Sequence, residues 1–498
     1  MGVIEHLITG FSVAFQPMNL FFCFLGVLMG TLIGVLPGIG SPNAVALLIP
    51  LSFGMNPVSA VIMMAGTYYG VMYGGSTTSI LLAIPGEGPS VVTIFDGYQM
   101  ALKGRAGSAL GIAAFGSFIG GSLAIMGMAL IAPPLAAFAL KFGPAQLFTV
   151  MLLGISILSY VARYSIRRAV IVAAFGLFIT SVGQDLVSGE RRFVFGVTQL
   201  VEGIDMVPVI MGLYGLSEMF ENVEKTIDMR VFKEKLKGLL PSLQDWRDSI
   251  FPILRGAGIG FFCGIIPGAG PTISTFGSYG VEKRVSKHPE RFGHGAIAGV
   301  AGPETANNAA SQAAFIPLMT LGIPTSATAA VLFGALMIHG VTPGPNLISK
   351  FPEVFWGLTT SMWIGNLMLL ILNLPLIGMW VKVLKIPYVF MLPNIMIFCV
   401  IGAFCMRNTI VDVLIMLAFG IIGYLMKKFE YEPAPLVMAM ILGPRLEESL
   451  RQALIISGGS FGIFLSSPIS IIALGLATFF LFSPVFLKRR PAVGYDEL

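Results

Sequence analysis

The sequence predicts an all-α polytopic membrane protein, on three observations. Of its 498 residues, 55% are hydrophobic and only 11% are charged, whereas soluble globular domains carry about a quarter charged residues. Mean hydropathy is +0.86. The charges are also clustered, with no Asp, Glu, Lys or Arg between Glu5 and Glu87, between Glu304 and Lys350, or between Arg451 and Lys488. Each of these stretches can hold one or more spans of roughly 20 apolar residues.

Taken in order, apolar runs place spans near 18–36, 57–84, 107–133, 145–162, 168–184, 205–222, 294–320, 324–340, 355–381, 386–405, 410–426 and 458–487. That predicts roughly ten to twelve crossings, with shorter elements beside two glycine-proline breaks. Met1–Gly10 lacks a basic leader, so the first apolar segment is expected to remain as a span. Close sets such as Gly111, Gly116, Gly120 and Gly121 suit tight helix packing in lipid. Cys23, Cys263, Cys399 and Cys405 lie in apolar stretches without CxxC spacing and read as buried small residues. The net charge of +5 sits in short loops and carries no nucleic-acid signal.

The polar segment Glu221–Arg255 divides the chain, and its "FKEKLKGLL" pattern fits an amphipathic surface helix or a solvated connector. The expected organisation is therefore a first transmembrane repeat with connecting helices over 1–222 and a cytoplasmic connector over 223–255. A second repeat with C-terminal helices follows over 256–487, then a basic tail over 488–498.

The two halves look related. "GVLPGIG" at 34–40 and "GIIPGAG" at 264–270 are offset by 264 − 34 = 230 residues. Polar patches follow, "YGGSTTS" at 73–79 and "ETANNAASQ" at 304–312, and then Ile84-Pro85-Gly86 and Ile323-Pro324-Thr325. Three matches in the same order predict an internal duplication with an insertion in the second copy. The loop after the first break, "FGMNP", is uncharged, whereas its counterpart holds Lys283, Arg284, Lys287 and Arg291. Short basic loops stay cytoplasmic, as Arg163, Arg167, Arg168, Lys488, Arg489 and Arg490 would, so the repeats are expected to be inverted.

A helix that ends within a membrane exposes backbone donors and acceptors, which only protein or a water-filled cavity tolerates. After the first break, Ser41-Pro42 reads as an N-cap hydroxyl followed by a first-turn proline; after the second, Gly270-Pro271 reads as a glycine cap. Each break is expected to aim a positive helix end at a cavity. The amides of Gly38, Gly40, Gly268 and Gly270, with Ser41, Asn43, Thr272 and Ser274, form the candidate carboxylate site. Asn307 and Asn308 join it, because two adjacent amides cannot both bond their own helix. Ser76, Thr77, Thr78, Glu304, Ser311 and Thr325 are candidate cation or substrate contacts. Glu304 reads either as a cation-linked carboxylate or, preferentially, as a loop residue at a helix start, and Glu87 carries the same two readings.

"GVLPGIGS" lacks the lysine and glycine spacing of a phosphate loop. The four histidines show no HExxH pairing and none accompanies the hydroxyl patch, so no catalytic residue is assigned and the chain does not read as an enzyme. A channel fits duplicated broken helices less well than a carrier does.

The ordered blocks "GVLPGIGSPNAVALLIPL", "YGGSTTSILLAIPGE", "FDGYQMALKGRAGSAL", "GIIPGAGPTISTF", "GPETANNAA" and "LGIPTSATAAVLFGAL", with "GYLMKKFEYEPAPLVMAMILGPRLEESLRQAL" at 423–454, resemble the large membrane subunit of the tripartite tricarboxylate transporters (TctA-like proteins). The resemblance covers nearly the whole chain. It implies a bacterial inner-membrane carrier that works with a small membrane subunit and a periplasmic solute-binding protein. It also implies import of citrate-like carboxylates coupled to Na+ or H+, without a resident cofactor. An autonomous carboxylate symporter is the alternative. Thr325 departs from the family pattern, where glycine is expected.

Overall fold

A computed structural model describes residues 2–36, 40–161, 165–185, 188–224, 238–383 and 392–486. Gly38, Arg163, most of "FKEKLKGLL" and the basic tail lie outside the described residues. The chain is a helical membrane protein. Its β-structure among the described residues is one two-stranded ribbon, Gly183–Gln184 against Arg191–Arg192.

Ten helices build the site and are labelled here: α1 Pro17–Val35, α2 Ser41–Leu48, α3 Pro57–Leu82, α4 Ala106–Ala139, α5 Leu243–Ile265, α6 Gly270–Val285, α7 Ala298–Ala313, α8 Phe315–Leu321, α9 Ala327–Ile338 and α10 Pro352–Asn373. Among the described residues, five helices are long and apolar enough to cross a membrane: α1, α4, α5, α10 and Ile410–Lys428. The expected span 57–84 is α3, which is uncharged and 26 residues long but rich in Gly, Ser, Thr and Tyr. Every residue from Val58 to Leu81 is buried, so α3 is a helix enclosed by protein rather than one facing lipid.

Helix α5 departs from the expected layout. Residues 243–255, read as connector, form its first half. A reciprocal cap explains the start: Ser242 Oγ accepts from the Asp245 amide at 3.1 Å, and Asp245 Oδ2 accepts from the Ser242 amide at 2.9 Å. The charges that suggested a loop belong to this first turn and to ion pairs, Arg105 with Asp245 and Arg255 with Glu282. The cysteines also divide: Cys23 and Cys399 are buried, Cys263 is half-buried and Cys405 is exposed. Cys263 and Cys405 sit on outward helix faces, where an apolar residue in a membrane need not be covered by protein.

Glycine seams set the packing. On α1, a Cβ on Gly26, Gly30 or Gly34 would collide with the carbonyls of Met63, Thr67 and Val71 on α3. On α5, a Cβ on Gly256, Gly260 or Gly264 would collide in the same way with Gly302, Ala306 and Ala310 on α7. The glycines are 230 residues apart (256 − 26) and their partners 239 (302 − 63), so nine residues are inserted between the two sets. Small residues at every fourth position let backbones approach closely, as helix pairs in membranes require.

Both registers ascend together, so α3 runs parallel to α1 and α7 parallel to α5. The chain must therefore reverse between the members of each pair. In the first copy it returns from the level of Gly34 to that of Asn19, whose Oδ1 accepts from Ser59 Oγ at 2.5 Å, a drop of about 22 Å at 1.5 Å per residue. In the second copy α5 and α6 form an antiparallel hairpin, clamped by Arg255 Nε and Nη2 on Glu282 at 2.8 and 2.5 Å. The second break, which ends in Gly268 and Gly270, is thus the tip of a reversal, and not a kink between collinear half-helices. Across the two pairs the direction is opposite. Ser76 of α3 meets Glu304 of α7, while Tyr68 meets Phe315 of α8 at 6.1 Å between rings, so α3 and α7–α8 run antiparallel.

Candidate functional site

The two tips come together over two unwound segments. Helix α3 stops at Ala83 and α8 at Gly322, both in the left-handed region (φ 56° and 67°), and these stops are again 239 residues apart. Each stop is followed by an Ile-Pro pair, and the released backbone meets a tip. In the second copy the Gly268 amide donates to the Thr325 carbonyl at 2.8 Å. Gly268 and Gly270 adopt φ of 80° and 49°, which glycine takes without strain. In the first copy Gly86 lies so close to the Gly34 carbonyl and Gly75 that no Cβ fits.

The expected caps are shifted by one position. Gly40 caps α2 and Ser41 is its first helical residue; Ala269 caps α6 and Gly270 is its first. Ser41 is thereby free to make a tertiary contact, and its hydroxyl is hydrogen-bonded to that of Thr328 at 2.9 Å. The Glu87 carboxylate faces the hydroxyl and backbone amide of Ser41. Glu87 is 6% exposed, and its Oε1 has no hydrogen-bond partner among the described residues. Across the junction, Thr272 at the second tip packs against Gly88.

A second cluster surrounds Glu304. Contrary to the loop reading, Glu304 lies inside α7 and is 1% exposed. Its Oε2 accepts from Ser76 Oγ at 2.6 Å, and its Oε1 accepts from Thr93 Oγ1. Asn308 Nδ2 donates to Ser117 Oγ at 2.7 Å and to the Glu304 carbonyl at 3.3 Å. Thr77, Ser76, Tyr73, Ser117 and Asn373 line a cavity of about 10 Å³ beside it, roughly one water-sized particle. Glu87 lies within Coulombic reach of Glu304. Two buried carboxylates with hydroxyl and amide neighbours form a donor set suited to a hard monovalent cation or a proton.

Other expected residues have different surroundings. Asn43 Nδ2 donates to Glu218 Oε2 at 3.1 Å, which ties α2 to helix Ser217–Glu224. Ser274 Oγ donates to the Pro271 and Ala306 carbonyls at 2.6 and 3.2 Å, pinning α6 on α7. Ser311 and Thr78 bond the Asn308 and Gly75 carbonyls at 2.9 and 3.1 Å. These four serve helix contacts. Asn307 is fully buried with neither amide atom paired, and the Oγ1 of buried Thr325 is also unpaired.

Four contributors have no signal in sequence spacing: Thr93, Ser117, Thr328 and Asn366, whose Oδ1 accepts from Gln312 Nε2 at 3.4 Å. Asp96 is a fifth. Its Oδ1 accepts from the amides of Gly293, Gly295 and Ala296 at 2.9, 2.7 and 2.7 Å, and Tyr279 Oη donates to its Oδ2 at 3.0 Å. This cradle fixes the loop that enters α7. Its carboxylate sits in "FDGYQ", where the acid alone gave no hint of a backbone partner nearly 200 residues away.

Residues 20–438 match the model of the tripartite tricarboxylate transporter TctA family. The chain is 48% identical over 500 residues, covering 100% of both chains, to an Agrobacterium vitis protein described as an uncharacterized 52.8 kDa protein in the TAR-I ttuC' 3'region. It is 52% identical over 241 residues to an uncharacterized protein in the TAR-II ttuC' 3'region of the same organism, covering 48% of this chain and 100% of that one. No solved structure matches. Together with the full-length likeness, the family match establishes that this multi-pass membrane protein belongs to the tripartite tricarboxylate transporter TctA family.

Proposed function

We propose that the chain is the transmembrane carrier of a tripartite importer in the inner membrane, working with a small membrane subunit and a periplasmic solute-binding protein. Its substrate is a tricarboxylate or related carboxylic acid, and its uptake is coupled to Na+ or H+. The observation that carries this reading is the junction itself. Two helix N-termini, α2 and α6, meet there beside two buried carboxylates that have no basic side chain paired to them among the described residues. Helix ends supply partial positive charge and free amides to an anion, and the carboxylates supply oxygens to a cation.

The opposed directions of α3 and α7, the matching glycine seams and the paired left-handed stops support two inverted repeats. In that arrangement the uncharged loop at 53–57 faces out and the basic loop at 281–294 faces in. Asn307, Asn308 and the tip amides hold substrate while one bundle moves against the other.

The test is uptake of labelled citrate into vesicles that hold this chain and its small partner under a Na+ gradient, with and without the binding protein. Uptake that requires both Na+ and binding protein is expected. Uptake without binding protein would replace the tripartite reading with an autonomous symporter.

A further inference from the structure

We propose that the two tips have divided their tasks: the first, at Ser41 and closed by Glu87, takes the coupling cation, and the second, at Gly268–Thr272, takes a carboxylate of the substrate. This rests on the carrier reading above and assigns a different ligand to each half of its site.

The argument starts from the repeat. Taking the 239-residue offset of the stops, Glu87 corresponds to Ser326 (326 − 87 = 239). Both residues sit against a tip: Glu87 faces the Ser41 hydroxyl and amide, and the Ser326 Cβ lies nearest to Gly270. One copy therefore holds its own carboxylate at the helix start, where the other holds a hydroxyl. A substrate carboxylate at the first tip would meet a like charge in a buried setting and would compete for the same amide. At the second tip the corresponding residue, Ser326, brings no acid of its own. The Gly270 and Thr272 region borders buried Thr325, whose Oγ1 is unpaired and whose carbonyl already anchors the turn.

The first tip has the opposite character. Glu87 Oε1 is buried and unpaired, whereas both oxygens of Glu304 already accept hydroxyl donors. The groups facing Glu87 that can titrate are Tyr68 of α3 and Glu304 of α7, and neither brings a positive charge. A proton or Na+ on Glu87 neutralises the junction and complements the open oxygen; the hydroxyls of Ser41 and Thr328 lie alongside as further oxygen ligands.

The experiment uses the purified full chain in lipid nanodiscs and follows its thermal midpoint. One arm exchanges K+ for Na+ at fixed pH; the other lowers pH in K+ alone. The wild type is expected to be stabilised in one arm, which identifies the cation. Glu87→Gln is expected to melt cooperatively in K+ yet lose that response, and Glu87→Asp to keep a weakened one. Ser326→Glu, which copies the first tip onto the second, is expected to keep the cation response and lose citrate uptake in vesicles with both partners. A Glu87→Gln protein that responds like wild type, a wild type silent in both arms, or full citrate uptake by Ser326→Glu would each overturn the proposal. Absence of wild-type citrate uptake alongside an intact, Glu87-dependent cation response would instead fault the substrate reading and leave the first tip's assignment supported.

Discussion

The two halves of this molecule use the same packing and different chemistry. Along the seams they are nearly interchangeable, with three glycines per hairpin at identical spacing and carbonyls of the neighbouring helix in the gaps they leave. At the tips they diverge. Gly86 and Glu87 follow the first left-handed stop where Thr325 and Ser326 follow the second, and α5 is clamped to α6 by Arg255 and Glu282. The difference separates what holds the halves together from what each half does. Helix approach leaves no room for variation, whereas a tip is free to change any residue whose backbone direction survives the change.

The comparison can be broken most severely at the seams. Gly30→Leu and Gly260→Leu each push a side chain into a carbonyl of the facing helix. Overpacking of well-packed sites costs about 1–3 kcal/mol and often more, so both variants are expected to fail to yield monodisperse protein in size-exclusion chromatography. If only one fails, the seams are not equivalent. Gly86→Thr is next, because it installs the second tip's residue where the Gly34 carbonyl and Gly75 leave no space. It should lower the thermal midpoint markedly, while the reverse swap, Thr325→Gly, should not.

The polar seam comes third. Asn307→Leu and Asn308→Leu are expected to abolish uptake while leaving membrane insertion intact, as fractionation and labelled-substrate assays would show. Normal transport by both would remove α7 from the site. A smaller effect is expected at the tether between the halves: Asp96→Ala strips three amides of their acceptor. Each such loss costs about 1–3 kcal/mol where the amide stays dry. Thermal unfolding is expected to report a destabilisation of that order in total, because the loop can partly rehydrate. The smallest effect is that of Thr325→Gly, which deletes a buried, unpaired hydroxyl; stability should hold within about 1 kcal/mol while the citrate half-saturation shifts.

Much of this architecture was legible in the chain. The charge-free stretches gave the membrane class, and the second PGxG break marked where the chain turns between α5 and α6. Glu304 shows where that reading fails. The apolar run 294–320 announced a span, but the acid that opens its polar patch looked like a residue at a helix start; the hydroxyls of Ser76 and Thr93, brought from other elements, make its burial tolerable. Asn43 fails for the opposite reason. Its place two residues past Ser41 suggested a ligand, but a helix turns about 100° per residue, and the Nδ2 of Asn43 is engaged by Glu218 while its Oδ1 stays buried and unpaired. The reversal at the second break was also hidden, because a glycine-proline pair permits a kink and a hairpin alike. The parallel register that decides between them is a property of helix pairs, which no single segment reveals.

The glycine seams also constrain mechanics. A hairpin bonded to its neighbour over three turns, with backbone on backbone, has no compliant layer of side chains to slide on. It cannot lift away like a flap on a hinge. Any rearrangement of the junction must carry α1 with α3, and α5 with α7, as slabs. Any relative motion then falls to the boundaries between these slabs, more than to the suppleness of a single helix.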